Sequence, residues 1–219
     1  MGRKRIKKKR RIPEHARGES SLIHGSYNIV FDPIEDEPKK YIDPELEKAQ
    51  EEIYNSMRED PEGCASRLGP LMEKYPDYPV LYNYLSVSYT LMGETEKARD
   101  NILKAYRKFP DYLFAKIGYV ELCLRENKLD EIPRILDNKY DLKLHYPERT
   151  EFHITEFTAF AGTVGFYFCL IGKPEVAETY YKMLKKVAPD DPQTRRIGRT
   201  LKAIEPIVSL GKLIESFRK

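Results

Sequence analysis

The sequence predicts an all-α protein assembled from repeated helical hairpins. The first observation behind this prediction is a recurring order of aromatic, small and proline residues, clearest in two stretches of the chain. The second is the spacing of apolar residues at i, i+3 and i+4, which places a stripe on one face of each predicted helix. Apart from the fold class, the charge distribution separates the two ends of the chain from its middle and marks the ends as basic tails.

The two clearest stretches lie 79 residues apart. The first carries Tyr82, Leu85, Ser86, Tyr89, Gly93, Ala98, Ile102, Ala105 and Pro110. At the same offsets the second carries Ala161, Val164, Gly165, Phe168, Gly172, Ala177, Tyr181, Leu184 and Pro189. The glycine after the first helix tolerates the left-handed backbone of a sharp turn, and the proline ends the second helix. The alanine lets the two helices of a hairpin approach closely.

These stretches resemble tetratricopeptide repeats. Residues 79–112 match the family pattern best and depart from it mainly at Ser86, where the family has glycine; in residues 158–191, Ala161 replaces a large aromatic residue. The resemblance implies a right-handed α-solenoid of about four hairpins, with the first helix of each hairpin lining a concave face.

Two weaker copies complete the array. Residues 45–78 place Cys64 at the small position, and residues 113–146 place Ile132 there and Pro133 just inside the second helix. Asn127 replaces the turn glycine and tolerates positive φ. The extra residues at about 147–157 are predicted to lengthen the first helix of the last repeat, with Thr150 as its N-cap.

The chain is therefore predicted to have three parts. Residues 1–42 form a basic arm and an extended linker, largely disordered; within it, residues 26–38 either lie against the first hairpin or remain extended. Residues 43–191 form the repeat domain. Residues 192–219 form basic C-terminal capping helices, broken near Pro206 because proline interrupts a helix.

The concave face that the resemblance implies is the predicted peptide-binding groove. Its candidate residues are Asn83, Tyr84, Val87, Thr90, Phe114, Ile117, Glu121, Thr163 and Phe166. The alternative is that several of them pack against the neighbouring hairpin. Among the positions where chaperone-binding repeats carry a carboxylate clamp, only Asn83 has a suitable side chain, so that role is not expected.

Charge is concentrated at the two ends. Residues 1–18 carry nine Lys and Arg against one acid, residues 192–219 carry seven against two, and the remaining residues carry 22 against 32. The N-terminal cations are Arg3, Lys4, Arg5, Lys7, Lys8, Lys9, Arg10 and Arg11. Such a run indicates an arm that binds nucleic acid through phosphates, a nuclear targeting signal, or a solvated tail without a dedicated partner.

A second basic group is predicted near the C-terminus. Arg195, Arg199 and Lys202 share one helical face at i, i+4 and i+7. No aromatic residue is interleaved with them in the sequence, so base stacking is not predicted.

No catalytic or metal-binding pattern is present in the sequence. Phosphate-loop, nucleophile-elbow and zinc-protease motifs are lacking. Cys64, Cys123 and Cys169 form no CxxC pair and are interpreted as small apolar residues. His153 and Glu156 share a helical face and are interpreted as a surface pair. No cofactor or metal is expected.

The predicted function is a non-catalytic adaptor that binds a peptide or partner domain in the concave groove. The alternative is an accessory RNA- or DNA-binding protein that uses the arm and the C-terminal helix, and a third hypothesis is self-association through the end helices. Without a secretory signal or an apolar run of about 20 residues, the predicted location is cytoplasmic, or nuclear in a eukaryote.

Overall fold

The computed structural model of the protein describes residues 10–11, 27–32 and 43–216, with side chains at 27–32 and 43–206. The chain divides into two compact units. The middle unit is Glu35–Ile135, and the terminal unit, which contains both chain ends, combines Met1–Ile34 with Leu136–Lys219.

The middle unit is built from helical hairpins, as predicted. Its helices are α1 (Pro44–Ser56), α2 (Pro61–Lys74), α3 (Pro79–Leu91), α4 (Thr95–Lys108), α5 (Leu113–Arg125) and α6 (Ile132–Ile135), with a 3-10 turn at Leu129–Glu131. Three of them begin with proline, whose fixed φ suits the first helical position. Asp43 and Asp60 cap α1 and α2 by accepting hydrogen bonds from the backbone N–H groups of Glu45 and Gly63, each at 2.9 Å.

The hairpin pattern is confirmed at its key positions. Gly93 and Gly172, the two predicted turn glycines, have φ values of 75° and 70°. Ala98 and Ala177 are buried, as close helix packing requires. The core at the first hairpin is formed by apolar residues of α1, α2 and α3 together with the residue that follows α1: Leu46, Ile53, Met57, Cys64, Leu68 and Leu81.

The third repeat departs from the pattern in its second helix. Asn127 takes the predicted left-handed turn, with φ of 55°. The segment that should follow as a full helix is instead the 3-10 turn and the four-residue α6. Asp137 and Asn138 then adopt left-handed φ values of 52° and 54°, which end the helix. Ile132 is buried where a small residue was expected.

The terminal unit contains α7 (Leu142–His145), α8 (Ile154–Leu170), α9 (Pro174–Val187) and α10 (Pro192–Ser216). It also holds a small sheet, absent from the all-α prediction, of strands β1 (Arg10–Arg11), β2 (Asn28–Val30) and β3 (Glu151–His153) in the order β1-β2-β3. β1 and β2 are antiparallel, and β2 and β3 are parallel, with Ile29 opposite Phe152. The helical repeat remains the dominant architecture.

The structure describes residues 27–32 of the segment 26–38, and three of them form β2. The described part of this segment pairs with β3 rather than with the first hairpin. Ile29 and Val30 are buried, and the Tyr27 ring packs edge-on against Phe152 with centroids 4.9 Å apart. Burial, reinforced by the charge of Asp141, raises the pKa of Tyr27 well above its usual range.

The predicted N-cap of α8 was wrong. Residues 151–153 form β3, and α8 begins at Ile154 with His153 as its N-cap. The imidazole of His153 accepts a hydrogen bond from the N–H of Thr155, and Glu156 accepts one from the N–H of His153. Residues 151–153 form a strand rather than the start of α8 because they pair with β2. The local sequence does not reveal that pairing partner.

α10 is one helix through Pro206, not two helices broken there. Proline removes one backbone hydrogen bond and leaves the carbonyl of Lys202 without its helical donor. Lys202 and Pro206 are both exposed, so water can solvate that carbonyl. The exposed Pro70 is accommodated inside α2 in the same way.

Candidate binding surfaces

The middle unit exposes a group of large apolar side chains on α1 and α3. We call Tyr54, Tyr84, Val87 and Leu91 the α1–α3 surface. Tyr54, Val87 and Leu91 are 61%, 38% and 49% exposed. Tyr84, Val87 and Leu91 follow the i, i+3, i+7 spacing of a single helical face. The Tyr54 and Tyr84 rings lie 6.2 Å apart, which joins the two helices into one surface.

The Tyr84 side chain is fixed by its contacts within the first hairpin. It packs against the core of the first hairpin, and its hydroxyl interacts with the side chain of Gln50. Gln50 also accepts a hydrogen bond from the Tyr78 hydroxyl at 2.5 Å. Burial raises the pKa of Tyr84 to about 12, so the phenol is neutral at physiological pH. The ring is therefore a fixed apolar element between more exposed neighbours.

The other predicted groove residues of the middle unit differ in accessibility. Thr90 is exposed, and its hydroxyl donates a hydrogen bond to the carbonyl of Ser86 at 2.8 Å. Asn83, Phe114 and Glu121 are half-buried. Ile117 is buried and offers no side-chain surface to a partner, which corrects its assignment to the groove.

The two predicted groove residues of α8 both lie near α10, and they differ in burial. Thr163 is only 2% exposed. The guanidinium of Arg196, on α10, lies 3.6 Å from the centroid of the Phe166 ring, a cation–π contact. An added Cβ at Gly162 would come within 2.4 Å of the Cβ of Gln193, so α10 approaches α8 closely along this face. Thr163 is therefore a packing position, whereas Phe166 is half-buried beneath Arg196.

The predicted C-terminal basic face is present on α10. Arg195, Arg199 and Lys202 are all exposed. Contrary to the sequence analysis, an aromatic ring lies beside them: the ring of Tyr181, on α9, is 2.8 Å from where a Cβ on Gly198 would stand. Gly198 lies on α10 between Arg195 and Lys202, so the ring enters the basic face from the neighbouring helix.

The structure describes two residues of the basic arm. Arg3, Lys4, Arg5, Lys7, Lys8 and Lys9 lie outside the described residues. Arg10 and Arg11 form β1, in which their backbones pair with Ile29 and Asn28. Arg10 and Arg11 thus belong to the same compact unit as α10.

The remaining candidates for chemistry have structural roles. The three cysteines are buried, and burial raises the pKa of Cys123 and Cys169 to about 11, which keeps these thiols protonated. Glu156 forms a two-pronged ion pair with Arg149, at 2.8 and 2.9 Å, in addition to capping α8. In the described part of the chain, no group of three His, Cys, Asp or Glu residues could hold a metal, and no helix could span a membrane.

A solved structure shares this helical-repeat fold. PilF of Pseudomonas aeruginosa aligns with 78% of this chain and 75% of its own, with 15% identity and a TM-score of 0.51. A tetratricopeptide repeat protein from Parabacteroides merdae ATCC 43184 aligns over 79% and 67%, with 14% identity and a TM-score of 0.47. No protein-family model and no curated protein matches the sequence. The tetratricopeptide-like fold predicted from the sequence is confirmed.

Proposed function

We propose that the protein is a non-catalytic interaction module that binds a partner protein through the α1–α3 surface. The observation that carries the proposal is the exposure of Tyr54, Val87 and Leu91 on adjacent helices of one unit. Large apolar side chains grouped on a protein surface are costly to leave in water and mark interaction sites. Helical-repeat folds present such surfaces to peptides and partner domains.

The neighbouring charges indicate the chemistry of the partner. Glu47 and Glu51 are exposed and share the α1 face with Tyr54, at i−7 and i−3. A partner segment that is complementary to this surface would place apolar side chains against Tyr54, Val87 and Leu91. It would place basic side chains against the two carboxylates. Apolar contacts at the centre supply most of the affinity, and the charges at the rim act mainly on specificity.

The test is capture of partners from cell extract by the full chain, with bound proteins quantified by mass spectrometry. The double variant Val87→Gln, Leu91→Gln replaces two exposed apolar side chains without disturbing the core. Leu170→Gln is the matched control, because Leu170 is similarly exposed, at 42%, but lies on α8 in the terminal unit. Circular dichroism verifies that each variant keeps its helical content.

We expect the same protein to be captured by the wild type and by Leu170→Gln and to be lost with the double variant. Capture that survives the double variant would show that the α1–α3 surface is not the binding site. Phe166→Ala is a poor probe of the groove, since removing this ring also removes the contact with Arg196.

A further inference from the structure

The sequence ranges of the two units differ in charge. The terminal unit includes both basic ends of the chain and carries 23 Lys and Arg against 14 Asp and Glu, while the middle unit carries 15 against 21. The two units thus have net charges of +9 and −6. A polyanion would be attracted to the terminal unit and repelled by the middle unit.

Within the terminal unit, α10 carries three exposed cations on one face. In the part of the chain that the structure describes, Arg195, Arg199 and Lys202 form no ion pair, although all three are exposed. Arg199 donates a hydrogen bond to the backbone carbonyl of Arg195 at 3.3 Å. We call these three cations the α10 stripe. From Arg195 to Lys202 it spans seven steps of the helix, which is about 10 Å. Three cations spaced in this way can contact successive phosphates of one strand.

α9 adds an aromatic ring and further cations to the stripe. The ring of Tyr181 is half-buried and reaches α10 at Gly198, where the lack of a side chain lets it lie close to the backbone. The Lys185 ammonium lies 5.7 Å from the centroid of that ring. Lys182 is also exposed on α9, where it pairs with Glu178. We call Tyr181, Lys185, Arg195, Arg199 and Lys202 the α9–α10 surface.

We propose that the α9–α10 surface binds single-stranded nucleic acid. The cations of α10 contact the phosphates, and the ring of Tyr181 stacks on a base. A positively charged track combined with an aromatic ring is the arrangement by which proteins bind single strands without reading sequence. The ring favours a single strand over a duplex, whose bases are already stacked on one another. This site does not depend on the α1–α3 surface, which lies in the other unit.

The test is fluorescence anisotropy of the full chain with a labelled oligouridine of about 15 nucleotides, and with oligothymidine and a duplex of the same length. One variant replaces the three α10 cations of the α9–α10 surface: Arg195→Gln, Arg199→Gln, Lys202→Gln. The matched control makes the same charge change on exposed positions of α4 in the middle unit: Lys97→Gln, Lys104→Gln, Arg107→Gln. Tyr181→Leu removes the ring, and Tyr181→Phe keeps it.

We expect the α10 variant to weaken binding of the single strand at least about 10-fold and to reduce the slope of log K against log salt by about 2. Tyr181→Leu should weaken binding roughly 10-fold with an unchanged salt slope, whereas Tyr181→Phe and the α4 control should bind as the wild type does. Equal affinities for oligouridine and oligothymidine would indicate contacts to phosphates and bases. A higher affinity for oligouridine would indicate an additional contact to the ribose hydroxyl.

Three results would overturn the proposal. One is a wild-type chain that binds no oligonucleotide at low salt. Another is binding that disappears when residues 2–11 are deleted and is insensitive to the α10 variant, which would assign it to the arm. The third is a pair of results: the duplex binds as tightly as the single strand, and Tyr181→Leu has no effect. Together they would mean that the surface attracts polyanions in general and does not stack on bases.

Discussion

Replacing Gly165 by alanine should destabilise the protein, although alanine is the better helix former. Gly165 lies inside α8, where the change alone would contribute about 1 kcal/mol in favour of folding. The new Cβ, however, would stand 2.6 Å from the Cδ1 of Ile197 and 2.9 Å from the Cβ of Tyr180. The Ile197 side chain can rotate away, but the Tyr180 Cβ is attached to the backbone of α9, so a helix must move.

Overpacking of this kind costs about 1–3 kcal/mol. The gain of about 1 kcal/mol in helix propensity offsets part of this cost, so the net loss for Gly165→Ala is up to about 2 kcal/mol, and the melting temperature should fall by up to about 8 °C. Gly118→Ala is the opposite case, because its Cβ would lie 3.7 Å from Ile102, an ordinary contact, inside α5. That variant should raise the melting temperature by about 2–4 °C.

The assay is thermal unfolding followed by circular dichroism, with wild type and both variants measured in parallel. The reasoning is refuted if Gly165→Ala is as stable as the wild type or gains stability as Gly118→Ala does. Such a result would mean that α8 does not approach α9 and α10 as closely as the structure describes.

Three further predictions concern the start of α8 and the buried N-terminal strand. His153→Ala removes the N-cap and should cost about 1 kcal/mol of unfolding free energy by chemical denaturation, whereas His153→Asp should retain most of it. Arg149→Lys keeps the charge but loses the two-pronged pair with Glu156, so its denaturation midpoint should fall; an unchanged midpoint would show that charge alone matters. The raised pKa of Tyr27 means that the unfolded chain loses this proton first as pH rises past about 10. The free energy of unfolding should therefore fall as the pH rises above that value, and it should fall less steeply in Tyr27→Phe than in the wild type. Equal slopes for the two proteins would contradict this.

The sequence was sufficient for features that depend on local spacing. The turns at Gly93 and Gly172, the left-handed Asn127 and the buried Ala98 and Ala177 all follow from positions within one hairpin. A hairpin is closed by residues close together in the chain, so its apolar period, turn and end can be read from one stretch of about 34 residues. For the same reason Tyr84, Val87 and Thr90 were found on the accessible side of α3.

Only the tertiary structure decided which faces remain accessible. Phe166 fits the groove pattern of its own hairpin, but Arg196 lies against its ring, because α10 packs against the glycines of α8. β2 pairs with β3 across more than 120 residues of sequence, and His153 contacts the carbonyl of Phe31 there at 3.4 Å. Tyr181 joins the basic stripe of α10 because of how two helices cross at a glycine. These contacts connect residues whose separation in the chain carries no periodic signal, so they were settled by packing.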